Sequence, residues 1–208
     1  MSNQVIVDLF VEDRAHESFL KPLLMRIAQE QDQDIEMEIR VRSARGGHAR
    51  AIAEFKLYQS IVAKSLLSSE SADIVVVAID GNCLTFPVAR RHIQDATVPM
   101  LIDRLVIACP DPHIERWYVA DPDSFETIVG HRPRVGDKKC ARGHYKQVLT
   151  TAIRRAGYPD TLGGVEFAPE LVEGMDLYRA GRNDSSLNAF LRDLRVRLRQ
   201  ITRDRDEN

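Results

Sequence analysis

Two carboxylates, Glu12 and Asp80, end two runs of apolar and β-branched residues, QVIVDLFVE at 4–12 and DIVVVAID at 73–80. Runs this continuous read as strands buried on both faces of a parallel sheet. In an open α/β sheet the carboxyl ends of neighbouring strands face one crevice, so the fold itself would bring the two acids together. A third acid, Glu115, falls in the first turn of a helix expected to open near Asp111 or His113, just past a strand at 104–109. Three converging carboxylates repel one another, and the usual resolutions are a raised pKa or a bound cation. Oxygen donors suit Mg2+, which polarises a phosphoryl oxygen and helps deliver hydroxide. Each piece taken alone has a plainer reading: a first-turn Glu complements the helix dipole, and Asp80-Gly81-Asn82 is a common turn.

Basic segments supply the complementary charge. Residues 40–50 carry four arginines and no acid, and residues 131–146 carry six Lys or Arg against one acid, Asp137. Gly46 and Gly47 stand directly before a helix-like segment at 51–67, where backbone N–H groups can approach an anion, with Arg42, Arg45, His48 and Arg50 adding charge. No Gly-Lys-Ser/Thr follows, so this is not a Walker loop. Two solvated loop surfaces are the plain alternative for these segments. The formal net charge of -2 argues against a whole-molecule electrostatic funnel and leaves local patches as the route to phosphate.

The elements that must position these residues follow from periodicity. Phe19, Leu20, Leu23, Leu24 and Ile27 recur at helical spacing after Asp13, a candidate N-cap, and Pro22 predicts a late start or a kink. Residues 35–41 alternate apolar and charged side chains, as a strand near the sheet edge does. A helix interrupted near Pro99 is expected over 86–101, with further helices at 124–129, 145–156 and 170–177 and a short strand at 165–167. Leu187, Leu191, Leu194, Leu198 and Ile201 line one face of a C-terminal helix, beyond which residues 202–208 are expected to fray. The arginines of that helix, Arg192, Arg195, Arg197 and Arg199, are read as its coat. Trp117, Tyr118 and Cys109 read as core residues.

Composition bounds the class. With 208 residues, 44% apolar and 29% charged, the chain is long enough for an α/β domain with an appendage and far from the disordered regime. Cys83, Cys109 and Cys140 form an odd set without CxxC spacing, and the six histidines show no HxxxH or HxH spacing. A reducing, cytoplasmic setting without a membrane span is the expectation.

The order of a Glu ending the first strand, an Asp-x-Asx turn after a later buried strand, and HIERWY past the next resembles the TOPRIM domain. That metal-dependent fold belongs to topoisomerases, primases and OLD-type nucleases. The likeness is strongest to small TOPRIM-like proteins related to the OLD-type nucleases, in which a Gly-Gly loop, an acidic helix start and a basic segment follow one another. It covers about residues 1–150, as a Rossmannoid, mostly parallel sheet flanked by helices, with residues 151–208 as a mainly helical extension packed on it.

The resemblance implies Glu12 as metal ligand or acid/base, Asp80 as the first aspartate of the metal-binding Asp-x-Asp, and Glu115 as the glutamate of the helix. Asn82 stands where the pattern has its second aspartate, keeping a carbonyl oxygen for the metal but removing a charge. In this reading Mg2+ or Mn2+ is the cofactor, and Lys139 or Arg142 stabilises developing phosphorane charge. Arg45, Gly46, Gly47, His48, Lys138 and Arg142 grip the nucleic-acid backbone. The reaction implied is hydrolysis of a DNA or RNA phosphodiester, in defence or nucleic-acid processing. Two alternatives stay open: a non-catalytic module binding nucleic acid or a partner ATPase, suggested by Asn82, and a receiver-like domain in which Asp80 is phosphorylated.

Overall fold

A computed structural model describes residues 4–42, 46–64, 71–136, 138–141 and 143–207. Its centre is a four-stranded sheet in the order β2-β1-β3-β4. The strands are β1 (Gln4–Val11), β2 (Glu36–Val41), β3 (Ile74–Ala78) and β4 (Leu105–Ala108). All three pairings are parallel, with Leu9 opposite both Val41 of β2 and Val76 of β3. The two central strands are those that read as continuous apolar runs, while the alternating segment forms edge strand β2, whose residues are all exposed or half-buried.

Period-two alternation sends neighbouring residues of each strand to opposite faces. Val5, Val7, Leu9 and Val11 of β1 join one apolar cluster, with Ile74, Val76 and Ala78 of β3. Phe10 joins a second cluster with Val75, Val77 and Ile107. Helix α1 (Arg14–Gln31) covers the first face, and α2 (His48–Lys64), α3 (Phe86–Asp95) and α4 (Pro99–Ile102) cover the second. Asp8 interrupts the run on the second face and is buried there, its carboxylate 2.7 Å from Arg42 Nε.

The remaining helices are α5 (Ile114–Tyr118), α6 (Pro122–Val129), α7 (His144–Arg155), α8 (Ala168–Gly174), α9 (Leu177–Asn183) and α10 (Ser185–Asp206). They share the first cluster: Trp117, Leu149, Leu171, Phe190, Leu194 and Leu198 are buried in it beside the strand residues. Ser186 ties α10 to the exit of β4, its Oγ accepting from Asp111 N–H (3.1 Å) and Trp117 Nε1 (2.9 Å) and donating to Asp184 Oδ1 (2.5 Å).

Three local expectations are corrected and a fourth is narrowed. Of the late start or kink expected at Pro22, the late start is excluded, because α1 begins at Arg14 and holds Pro22 inside it. Pro22 and Ser18, whose carbonyl loses its i+4 donor, are both half-buried on the rim of a groove where solvent can take that bond. Residues 165–167 form a 3-10 turn instead of a strand. Gly163 and Gly164, with φ of +74° and +92°, reverse the chain, and the Glu166 carboxylate caps Gly164 N–H at 2.9 Å. The helix expected over 170–177 is two, α8 and α9, because Met175 is extended and Asp176 caps a fresh helix start at Arg179 N–H. The tail stays helical to Asp206, where Arg205 donates to the Gln4 carbonyl at 2.7 Å.

Candidate metal centre

The strand order reverses at β1. The chain leaves β1 for β2 on one side through α1, and leaves β3 for β4 on the other, so the carboxyl ends of β1 and β3 flank the switch-point crevice. Glu12 is the residue after β1, and its N–H still pairs with the Ala78 carbonyl at 3.0 Å. Asp80 follows β3, and its N–H donates to Glu12 Oε2 at 3.0 Å. The two acids, distant in sequence, are therefore locked together by a backbone hydrogen bond at the sheet rim.

The third member is His16. Asp13 caps α1, accepting from His16 N–H at 3.1 Å, and the same Oδ1 lies 2.8 Å from His16 Nδ1. This fixes the ring with Nε2 facing the crevice, 3.2 Å from Asp80 Oδ1. That is an ion-pair distance without hydrogen-bond alignment, so Nε2 is a fully buried nitrogen with no hydrogen-bond partner. One ligand atom from each of Glu12, His16 and Asp80 lies within 4.8 Å of the others. A divalent cation would fit beside the two carboxylates by taking the place of the proton that His16 Nε2 carries toward Asp80.

Electrostatics set the protonation states. Burial alone would raise Asp80, but His16 and a His113 Nδ1 contact at 3.0 Å outweigh it and hold the carboxyl at about 2. The N–H of Ile114, at the start of α5, adds a 2.9 Å bond to Asp80 Oδ1. Burial would lower His16, yet Asp80 and Asp13 raise it to about 10. Glu12 is pushed up, first by burial and, against the Asp80 N–H bond, by the Asp80 charge. Glu115 is raised by burial and by the charges of Asp80 and Asp13, while its own N–H works the other way. His113 is raised chiefly by its bond to Asp80.

The other residues singled out from sequence fall around this core. Glu115 is half-buried near Asp80 but outside the three-residue ligand set. Asn82, at φ 53°, turns its amide back onto the Asp80 carbonyl (3.2 Å) while its N–H donates to the Pro112 carbonyl (2.9 Å). Gly47 N–H donates to the Glu12 carbonyl at 3.0 Å, and His48 Nδ1 is 3.9 Å from Glu12 Oε2, so the start of α2 meets the acids. An added Cβ at Gly46 would lie 2.8 Å from Arg50 Cγ. Lys139 pairs with Asp111, at the exit of β4, at 2.5 Å. Lys138 is exposed. Arg45 and Arg142 lie outside the described residues.

His16 was the residue sequence reasoning did not weigh as a ligand. Its signal is Asp13-x-x-His16 immediately after a strand-end acid, which a search for histidine pairs passes over. No family model matches the chain, and neither a curated protein nor a solved structure matches it. The chain is thus defined by its own coordinates as an α/β protein with a parallel sheet, a Glu-His-Asp group at its switch point and, among the described residues, no helix long and apolar enough to cross a membrane.

Proposed function

We propose that the chain is a divalent-metal-dependent, TOPRIM-like phosphodiesterase acting on nucleic acid. The observation that carries this reading is the convergence of Glu12, His16 and Asp80 within 4.8 Å at the switch-point crevice. Bound there, Mg2+ or Mn2+ would polarise a phosphoryl oxygen and lower the pKa of a water. The imidazole donor shifts preference toward Mn2+, since Mg2+ favours an all-oxygen shell. Glu12, with its pKa raised, is the group suited to take a proton from the attacking water. Asp80 stays ionised and accepts from Ile114 N–H and His113, which orient it. The first turn of α2, next to Glu12, directs N–H groups and positive dipole toward a phosphate. Lys139, held by Asp111, supplies charge at the neighbouring strand end.

Cleavage of single- and double-stranded DNA and RNA in Mg2+ or Mn2+ tests this. Wild type cuts, and Glu12→Gln and Asp80→Asn each lower the rate at least about 100-fold, on the scale of losing general-base or charge-stabilising groups. Equal rates in all three proteins, or none in any, would reject the proposal. One observation favours a second reading, a non-catalytic module for nucleic acid or a partner ATPase: Asn82 caps its own turn where a second aspartate would supply charge. In that case nucleic acid binds without turnover, and Asp80→Asn leaves the affinity unchanged.

A further inference from the structure

Away from the acid cluster, residues 131–134 and one face of α7 border an open cavity of about 260 Å3. Arg132, Arg134, Arg155, His131 and His144 line it and, among the described residues, no Asp or Glu does. Its floor includes the buried side chains of Pro133 and Ala152. Arg132 is engaged with Asp123 and Glu126, but Arg134 and Arg155 have no carboxylate partner among the described residues. His144 Nε2 is buried and has no hydrogen-bond partner. That nitrogen lies beneath the surface against Gly136, where an added Cβ would meet it at an ordinary contact distance of 3.7 Å.

Cations gathered at one cavity repel, and among the described residues no carboxylate of the lining offsets Arg134 and Arg155. The group that would satisfy the guanidinium charge is a compact multivalent oxyanion. Arginine forks match phosphate oxygens in a bidentate way. The volume falls just below the roughly 300 Å3 at which drug-sized pockets begin. That leaves space for a phosphate and part of what it is esterified to, over the Pro133 and Ala152 floor.

We infer that this cavity is a phosphate-binding site separate from the metal centre, in which Arg134 and Arg155 hold a phosphate group, free or on the end of a nucleic-acid strand. The inference needs neither the metal nor phosphodiester cleavage. The test uses the full chain with chelator present, so that it is independent of the metal centre. Titration calorimetry is run with inorganic pyrophosphate and with a short oligonucleotide carrying or lacking a 5′-phosphate. The proteins are wild type, Arg134→Gln with Arg155→Gln, and a control changing Arg192 and Arg195 on α10 to Gln. The cavity arginines are exposed, so their loss leaves the core intact, which circular dichroism verifies.

The expected result is that pyrophosphate binds wild type and the control alike and binds the cavity variant about tenfold or more weakly. A terminal phosphate that strengthens oligonucleotide binding in wild type, and ceases to in the cavity variant, assigns the ligand to a nucleic-acid end. Binding of pyrophosphate alone assigns it to a free phosphate compound. If neither ligand distinguishes wild type from the cavity variant, the site does not exist.

Discussion

His16→Gln isolates the electrostatic keystone of the crevice. The His16 imidazole is fully buried, with Asp13 at 2.8 Å and Asp80 at 3.2 Å. Desolvation opposes its charge, but the two carboxylates prevail and move it from 6.5 to about 10. A group raised in the folded state contributes stability fully below its unfolded value, and that contribution fades as pH climbs through the folded value. The window is therefore pH 6.5 to 10, and the displacement sets a ceiling of about 5 kcal/mol. The low value of Asp80 is in part the same interaction seen from its partner, the rest coming from His113, and is not added to that ceiling. Urea unfolding with chelator present, across pH 6 to 10, measures the slope. Wild type loses a few kcal/mol over this window beyond whatever His16→Gln loses, because other titrations are common to both and cancel in the difference. Parallel curves for the two proteins would refute the buried ion-pair account.

Four further outcomes follow from contacts elsewhere. Buried Asp121 accepts from Arg179 Nε at 2.6 Å and from Asp176 N–H at 3.0 Å; burial alone would raise it, but these bonds hold it at about 2. Its stabilisation is complete above 3.8 and lost as pH falls toward 2, and Asp121→Asn removes about 2 kcal/mol at pH 7, read by urea unfolding. Ser186→Ala strands the buried Trp117 N–H and removes one of the donors to Asp184, which keeps Arg116 and Leu187 N–H, costing about 2 kcal/mol by the same method. At Gly164 a Cβ would sit 2.9 Å from Leu149 Cγ and 3.1 Å from Ile153 Cγ1 with φ at +92°, so Gly164→Ala lowers stability by about 2 kcal/mol in thermal unfolding. Trp117→Ala empties the contact with Phe19 and Phe190 and costs about 3–5 kcal/mol in urea unfolding; a loss below 1 kcal/mol would place that ring outside the core.

The central strands were legible because burial on both faces leaves an unbroken apolar run, as in IVVVA of β3. Edge strand β2 announced itself by alternation, and the leucines of α10 by their spacing. Parallel order and crossover then oblige the ends of β1 and β3 to meet, which is why Glu12 and Asp80 could be paired from sequence. Residues 165–167 misled because Val and Phe favour strands, whereas a glycine pair ahead of them and the lack of a sheet neighbour decide otherwise. The C-terminal tail looked frayed by composition, but Arg205 reaches the start of β1, a partner that only the tertiary fold supplies. His16 stayed hidden because its role comes from a helix cap that turns its ring inward, and cap geometry leaves only a short Asp-x-x-His trace. Asn82 was weighed for its carbonyl oxygen, yet a left-handed turn at φ 53° spends its side chain on the backbone.

At the switch point, Glu12, His16 and Asp80 are proposed to hold one divalent cation. Calorimetric titration of the metal-stripped chain with Mn2+ measures this. One ion per chain is predicted, with binding weakened at least about tenfold in Glu12→Gln, His16→Gln and Asp80→Asn and unchanged in Glu170→Gln on the exposed side of α8. A wild type that takes up no Mn2+, or binds it as tightly after all three substitutions, would contradict it.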